Sequence, residues 1–474
     1  MRSSARRPLS SDNLGQQLAG AAARFAARPA LPGMSFADLL DSAHLVRESL
    51  QQAGLRANEP VHVRVSNQPL DFAAYLGVWL AGGAVVPLHR TSPAGAVAHV
   101  VAKTRARFEW DGELKELGDE PPPERPMLEG AALVIFTSGS TGLPKGAVLS
   151  HRAFAGKLEA IQSLLGFAEG QRTLLVLNIT FSFGIWVALL TLLHGGTLLP
   201  RERFAAANFL RDLEHEGINR VAVVPTMMRS LILGVPAENL HFEGHELRQV
   251  LIGGETLGKG LGETLRALFA PAHLIDIYGL TETSTCDFFL MPADAGRYAG
   301  CIGRPSPGVR YRIAEDGELL ISSPFLMSGY LDEASLAPIR DGWLATGDLA
   351  SERAPGVVEI GGRKKELIYK GGAKVAPQEI EFACSGHPKV AAALAVGRPD
   401  ARLGQRIHVL IVPRGPGLTP AELRAFLAAR LERYKLPDVL YFASDLPAGR
   451  TGKADRGRFA AMLEQGELPP AEEA

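Results

Sequence analysis

The chain has 474 residues, 46% of them apolar and 21% charged, and its 50 Lys and Arg against 51 Asp and Glu leave a formal net charge of -1. That length exceeds what one hydrophobic core organises, so two or more domains are expected, and the balanced charge offers no broad positive field for a nucleic acid or an anionic membrane. Three cysteines, Cys286, Cys301 and Cys384, stand far apart without C-x-x-C spacing, which argues against a disulfide framework or a cysteine zinc site and fits a reducing, cytoplasmic compartment.

The opening Met1 to Arg7 is basic but leads into no apolar run, so it reads as an unstructured start rather than a secretory signal, with an organellar presequence as the alternative that its Arg and Ser content allows. From Phe36 to Ala53 apolar residues recur at helical spacing, and Val61 to Val65 alternates like a strand. Phe72 to Leu80 reads as a helix closed by Ala81-Gly82-Gly83, with Ala84 to Leu88 as the next buried strand. The strand rhythm returns at Leu174–Leu177, Arg220–Val224, Gln249–Ile252 and Leu274–Ile277. Apolar stretches such as Ile185 to Leu193 are too short to span a bilayer. Successive βαβ units predict an α/β fold whose ligands sit at the carboxyl ends of parallel strands.

Composition shifts near Gly361. The expected division is a large N-terminal domain of parallel and mixed sheets with helices over residues 1–362, a hinge at 363–366, and a small mobile α+β domain over 367–474. In the small domain, regular segments are expected at Glu379–Cys384, Val390–Val396, Ile407–Val412 and Ala421–Leu431. The acidic, proline-containing tail from Glu464 to Ala474 reads as disordered.

The most informative stretch runs from Leu133 to Gly146. Four apolar residues lead into Thr137-Ser138-Gly139-Ser140-Thr141-Gly142 and then Leu143-Pro144-Lys145-Gly146. Glycines let backbone amides turn toward an anion, hydroxyls add donors, and Lys145 adds positive charge, which together suit a polyphosphate. This is not a Walker loop, because Pro144 and Gly146 flank the lysine where that motif has Gly before it and Ser or Thr after it.

With that loop, an ordered set of motifs resembles the adenylate-forming superfamily of acyl-CoA synthetases, nonribosomal-peptide adenylation domains and firefly luciferase. Tyr278-Gly279-Leu280-Thr281-Glu282 resembles its Y-G-x-T-E motif, Thr346-Gly347-Asp348 its T-G-D motif, and Gly362-Arg363-Lys364-Lys365-Glu366 its hinge. Tyr369-Lys370-Gly371-Gly372 resembles the glycine loop beyond the hinge, Pro447 to Lys453 the C-terminal P-x-x-x-x-G-K motif, and Trp79 to Leu88 an early structural motif.

The resemblance implies ATP, Mg²⁺ and coenzyme A as reactants and assigns roles. Thr281 and the Thr137 to Lys145 loop would bind phosphates, and Glu282 would hold Mg²⁺, which favours a carboxylate with phosphates and water. Tyr278 would lie against adenine, and Asp348 would accept both ribose hydroxyls, with Arg363 in support. Gly254 and Glu255 would lie along the adenine and acyl pocket. Lys453 is the implied adenylation lysine, swung into the cleft by the small domain. Rotation at Lys365 would replace it with the Lys370-Gly371-Gly372 loop for thioester formation.

Phe181, Phe183 and Gly184 correspond to the family's acyl-pocket segment. Amino-acid-activating members usually carry Asp where Gly184 stands, so an α-amino acid is disfavoured. Ile277, beside Gly279, stands where many members taking bulky acids have glycine, which points to a short acid, branched or hydroxylated, with benzoate-like acids second. Free coenzyme A is the expected acceptor and an acyl carrier protein the alternative. The segment from Leu88 to Ala131 is short for the family, which bears on the surface available to a homodimer, and Gly356 to Ile360 lacks the usual aromatic residue.

Overall fold

A computed structural model describes residues 13–120, 122–137, 144–236, 240, 246–331, 338–447 and 454–473. Two seven-stranded sheets form the body of the large domain. In the first, Pro60–Val65 lies between Ala84–His89 and Phe108–Trp110, parallel to both. Ala131–Thr137 continues the sheet parallel to Ala84–His89, then folds back on Lys145–Ser150 as an antiparallel pair. Gly329–Tyr330 closes that edge beside Ala147 and Val148. Val61, Val63, Val65 and their neighbours are fully buried, as expected of strands covered on both faces.

The second sheet runs Thr197–Pro200, Arg172–Leu175, Arg220–Val223, Gln249–Gly253, His273–Tyr278, all parallel, before two antiparallel strands, Phe288–Leu290 and Arg304–Pro305. The segments that follow four of those parallel strands carry Phe181, Thr226, Gly254 and Thr281 to one carboxyl edge. The helix Ser182–Leu193 leaves that edge and is buried nearly throughout. This explains why it is apolar all round: it is a core helix. Among the described residues no helix is long and apolar enough to cross a membrane.

Asn67 ties the two sheets together. It sits in the left-handed region at φ 64°, which asparagine tolerates better than most residues. Its amide donates to the carbonyls of Leu177 and Arg201, both at 2.9 Å, and its oxygen accepts from the Ile179 amide at 3.1 Å.

A third sheet contains the long antiparallel pair Trp343–Ala354 and Val357–Arg363, which sets Asp348 opposite Arg363. Residues 368–473 build a fourth sheet around their own core of Ile368, Ile380, Val409, Ile411, Leu427 and neighbouring apolar residues. The segments expected there appear as Pro377–Ser385, Val390–Asp400, Gly404–Pro413 and Pro420–Ala428. The chain end departs from expectation. Glu472–Glu473 pairs antiparallel with Val439 and Leu440 instead of trailing as a disordered tail. The preceding helix, Arg456–Glu464, buries Phe459 completely. With Leu463 and Leu468 packed in the same cluster, apolar anchoring outweighs the acidic composition.

Replacing Asn67 with Ala strands two carbonyls and one amide in a buried place and puts a residue less tolerant of positive φ there. A loss of about 2–3 kcal/mol is expected, read by thermal or denaturant unfolding of the large domain.

Candidate functional site

The site begins with the hairpin register that sets Thr137 directly opposite Lys145. Glu282 meets this pair from the second sheet. Its Oε1 accepts from the Tyr330 hydroxyl at 2.8 Å and from the Thr137 hydroxyl at 3.4 Å. The Lys145 ammonium lies 5.3 Å from the Tyr330 ring centroid, a cation–π distance. Thr281 sits 3.4 Å, oxygen to oxygen, from Ser182 at the start of the buried helix. Two hydroxyls from separate chain segments therefore meet at one carboxylate oxygen, and the Met327 amide pins Glu282's backbone carbonyl at 2.8 Å.

This donor set suits a magnesium-bound polyphosphate. Among the described residues no group of three or more His, Cys, Asp and Glu collects into an all-protein metal cage, and no hydrogen bond engages the second oxygen of Glu282. One carboxylate with phosphate oxygens and water is the usual environment for Mg²⁺.

On the other side lies a second constellation. Asp348 is 2% exposed, accepting from the Tyr278 hydroxyl at 2.6 Å on one oxygen and pairing with Arg363 Nε at 2.7 Å on the other. Burial, followed by the neighbouring Asp348 carboxylate, pushes the Tyr278 phenol well above its usual range, so it remains a donor. Each carboxylate oxygen keeps further lone-pair capacity, which is where ribose hydroxyls can be received. Tyr278 and Glu282 thus come from one short segment yet join different side-chain clusters.

The residues expected to line an acyl pocket lie in apolar surroundings. Phe181 precedes the first turn of Ser182–Leu193, and Phe183 stacks on Trp186 at 5.5 Å with planes 8° apart. Ile277 is 5% exposed and belongs to the same apolar cluster as Phe183. Two expected pocket glycines have a different explanation. A Cβ on Gly184 would stand 2.5 Å from the Asn178 carbonyl oxygen, and one on Gly279 would stand 2.2 Å from the Cys286 nitrogen. Close backbone approach closes both positions to any side chain, so the missing Asp at Gly184 carries no information about the acid.

Other expected residues fall elsewhere. Beside Gly254, Glu255 accepts from the Thr226 hydroxyl at 2.7 Å and pairs with Arg229 at 3.2 Å, tying its loop to the helix Pro225–Gly234. Lys370 is held inside the small domain by Asp438 at 2.8 Å and by the Leu436 carbonyl at 3.1 Å, so its ammonium serves that domain's own packing. Gly371 and Gly372 both adopt positive φ on an exposed turn, and Lys365 is exposed in the 3₁₀ turn Lys364–Glu366. Ser138, Gly139, Ser140, Thr141, Gly142 and Lys453 lie outside the described residues. Tyr330 was missed by sequence reasoning; nothing in Met327-Ser328-Gly329-Tyr330 marks it until the edge strand brings it to Glu282.

Residues 18–110 and 108–331 match the family described as AMP-binding enzyme, and residues 379–453 match its C-terminal domain. The chain belongs to the AMP-binding enzyme family. It is an adenylate-forming ligase. Sulfoacetate–CoA ligase of Cupriavidus necator is 31% identical, with 89% of this chain and 91% of that protein covered. Feruloyl-CoA synthase of an Amycolatopsis species is 29% identical, covering 90% and 93%. Among solved structures, the anthranilate CoA ligase AuaEII in complex with anthranoyl-AMP superposes with a TM-score of 0.85 at 21% identity, covering 97% of this chain and 99% of that one. ATP-bound MatB from Rhodopseudomonas palustris gives 0.83 at 23%, covering 96% and 99%. The structural matches establish the shared fold.

Tyr330→Phe removes one hydrogen bond to the Glu282 carboxylate and leaves the ring over Lys145 in place. Mg·ATP binding is expected to weaken about ten-fold, measured by titration of ATP in the presence of Mg²⁺.

Proposed function

We propose that this enzyme converts a small carboxylic acid and ATP into acyl-AMP and pyrophosphate, then transfers the acyl group to coenzyme A, releasing AMP. The observation that carries this reading is the pairing of the Thr137–Lys145–Glu282–Tyr330 cluster with the Tyr278–Asp348–Arg363 cluster. The first suits phosphates and the second suits a nucleoside.

Attack of a carboxylate on the α-phosphate brings two anions together, so the site must neutralise charge and fix geometry more than it must move protons. Lys145, Thr137 and Thr281 would draw phosphate oxygens, and Glu282 would hold Mg²⁺, which when bound would neutralise charge at the leaving pyrophosphate. Tyr278 and Asp348 orient the nucleoside. Lys453, at the end of the small domain, is assigned to the reacting oxygens in the first half-reaction. The thiol sulfur of coenzyme A then forms the bond to the acyl carbon as the bond to the AMP oxygen breaks.

Buried, β-branched Ile277 beside the Phe183–Trp186 stack supports a short acid, plain, branched or hydroxylated. An aromatic acid is the second reading, favoured by the flat ring face of Phe183. Names among the relatives are compatible with either: sulfoacetate in one, ferulate and indoleacetate in others.

Carboxylate-dependent exchange of labelled pyrophosphate into ATP, run across short, hydroxylated, sulfonated and aromatic acids, tests the first half-reaction without regard to acceptor. Exchange with one class, followed by thioester formation with free coenzyme A, is the expected result; acylation of a carrier protein alone would replace the acceptor. Lys453→Ala is expected to lower acyl-AMP formation by about 100-fold or more while leaving thioester formation from supplied acyl-AMP within a few-fold. Ile277→Gly is expected to shift kcat/KM toward bulkier acids by about ten-fold or more, and an unchanged profile would remove the size argument.

A further inference from the structure

Behind the phosphate cluster lies an ion pair that none of the roles above uses. Lys157, in the helix His151–Leu165, and Asp287 are both fully buried, and Lys157 Nζ stands 2.9 Å from Asp287 Oδ1. The ammonium also donates to the Cys286 carbonyl at 3.3 Å and lies 5.1 Å from the centroid of the Phe325 ring. That ring rests against Gly156, where a Cβ would meet it at 2.8 Å. Asp287 is engaged on every side. Its other oxygen accepts from the Thr283 hydroxyl, its amide donates to the Tyr278 carbonyl at 2.7 Å, and its carbonyl accepts from the Ser306 amide at 2.7 Å.

The connectivity gives the pair its meaning. Lys157 stands on the helix that directly follows the Lys145–Ser150 strand, so it is rigidly continuous with the Lys145 side of the phosphate cluster. Asp287 ends the segment that begins at Tyr278 and contains Glu282. Between them Ser284, Thr285 and Cys286 all adopt positive φ, a tight turn that returns the chain toward Tyr278. The Ser284 hydroxyl donates to the Phe325 carbonyl at 2.7 Å, and the Met327 amide donates to Glu282's carbonyl. Phe325 and Met327 belong to the run that ends at Tyr330. One buried charge pair therefore cross-ties the three segments that supply Lys145, Glu282 and Tyr330.

We infer that Lys157 and Asp287 are positioning residues for the phosphate and magnesium side of the site: they set the distance between the Lys145 strand and the Glu282 carboxylate by a fixed link behind both. A pair that only filled space could be exchanged for apolar side chains without consequence for the ligand, because replacing both members of a buried pair leaves no lone charge. A positioning pair could not, since an outer partner that orients a metal-binding carboxylate governs metal affinity. The inference rests on the proposed assignment of Glu282 and Lys145 to Mg·ATP.

The test uses the full-length enzyme and the variants Lys157→Met/Asp287→Leu and Thr283→Val. Melting temperature, ATP affinity with and without Mg²⁺, and the Mg²⁺ concentration giving half-maximal ATP binding are measured. The double variant is expected to melt close to wild type yet require about ten-fold or more Mg²⁺, with metal-free ATP binding changed far less. Thr283→Val, which removes the hydroxyl that Asp287 shares with the Leu280 backbone, is expected to shift the Mg²⁺ requirement several-fold in the same direction, and it decides the matter if the double variant does not fold. A double variant with wild-type Mg²⁺ dependence overturns the inference, as does equal weakening with and without metal, and so does a Thr283→Val protein indistinguishable from wild type. Failure of the wild-type enzyme itself to bind Mg·ATP would instead sink the proposed function.

Discussion

Three residues in succession, Ser284, Thr285 and Cys286, hold left-handed backbone conformations at φ 57°, 77° and 46°. None is glycine, and such a conformation costs roughly 1–2 kcal/mol per residue. The turn persists because its surroundings leave the chain no alternative. The Cys286 nitrogen occupies the space beside Gly279 where a side chain would otherwise stand, and the Thr285 amide returns to the Leu280 carbonyl at 2.8 Å. The site is suspended from this turn. Tyr278 leaves its first arm toward Asp348, and Glu282 leaves its crest toward Thr137 and Tyr330. Local strain of this kind is found where a few side chains must be held in unusual mutual positions.

The two constellations differ in how they are held. The Asp348 side is organised by strand register, since the antiparallel pairing of Trp343–Ala354 with Val357–Arg363 sets Arg363 opposite the carboxylate. The Glu282 side is organised by tertiary contacts among segments far apart in sequence, with Tyr330 reaching it from an edge strand of only two residues. A sheet register is difficult to shift by one residue without inverting a whole face. A cluster of side chains from separate loops has no such lock, and depends on what packs behind it.

Much of the fold was legible in the sequence. The helix Phe36–Gln52 and the strands Pro60–Val65 and Ala84–His89 stand within a residue or a few of where periodicity put them, because each buries a continuous apolar stripe or face. The motifs carrying Glu282, Asp348 and Lys145 were legible through their order along the chain. What escaped were residues whose meaning is purely spatial. Lys157 carries no mark in the sequence, and only the folded chain reveals that it is fully buried. Gly184 read as a pocket position without the Asp that would hold an amino acid, whereas the Asn178 carbonyl already fills the direction a side chain would take. The acidic tail read as solvated because composition cannot weigh Phe459, one side chain that holds the helix before it.

Asp348 carries one further consequence. Arg363, its partner, is the last residue of its strand and immediately precedes the 3₁₀ turn Lys364–Glu366, from which the chain passes into the fourth sheet. A ligand hydroxyl donating to the same carboxylate draws on the negative charge that also holds the residue beginning this crossing. Occupancy of the Asp348 carboxylate by a ligand and the conformational freedom of the crossing therefore share one term in their free energies. By reciprocity, whatever changes the hold of Arg363 on Asp348 changes ligand affinity by the same factor that the ligand changes that hold. A single carboxylate makes the cleft and the connection beside it thermodynamically answerable to each other.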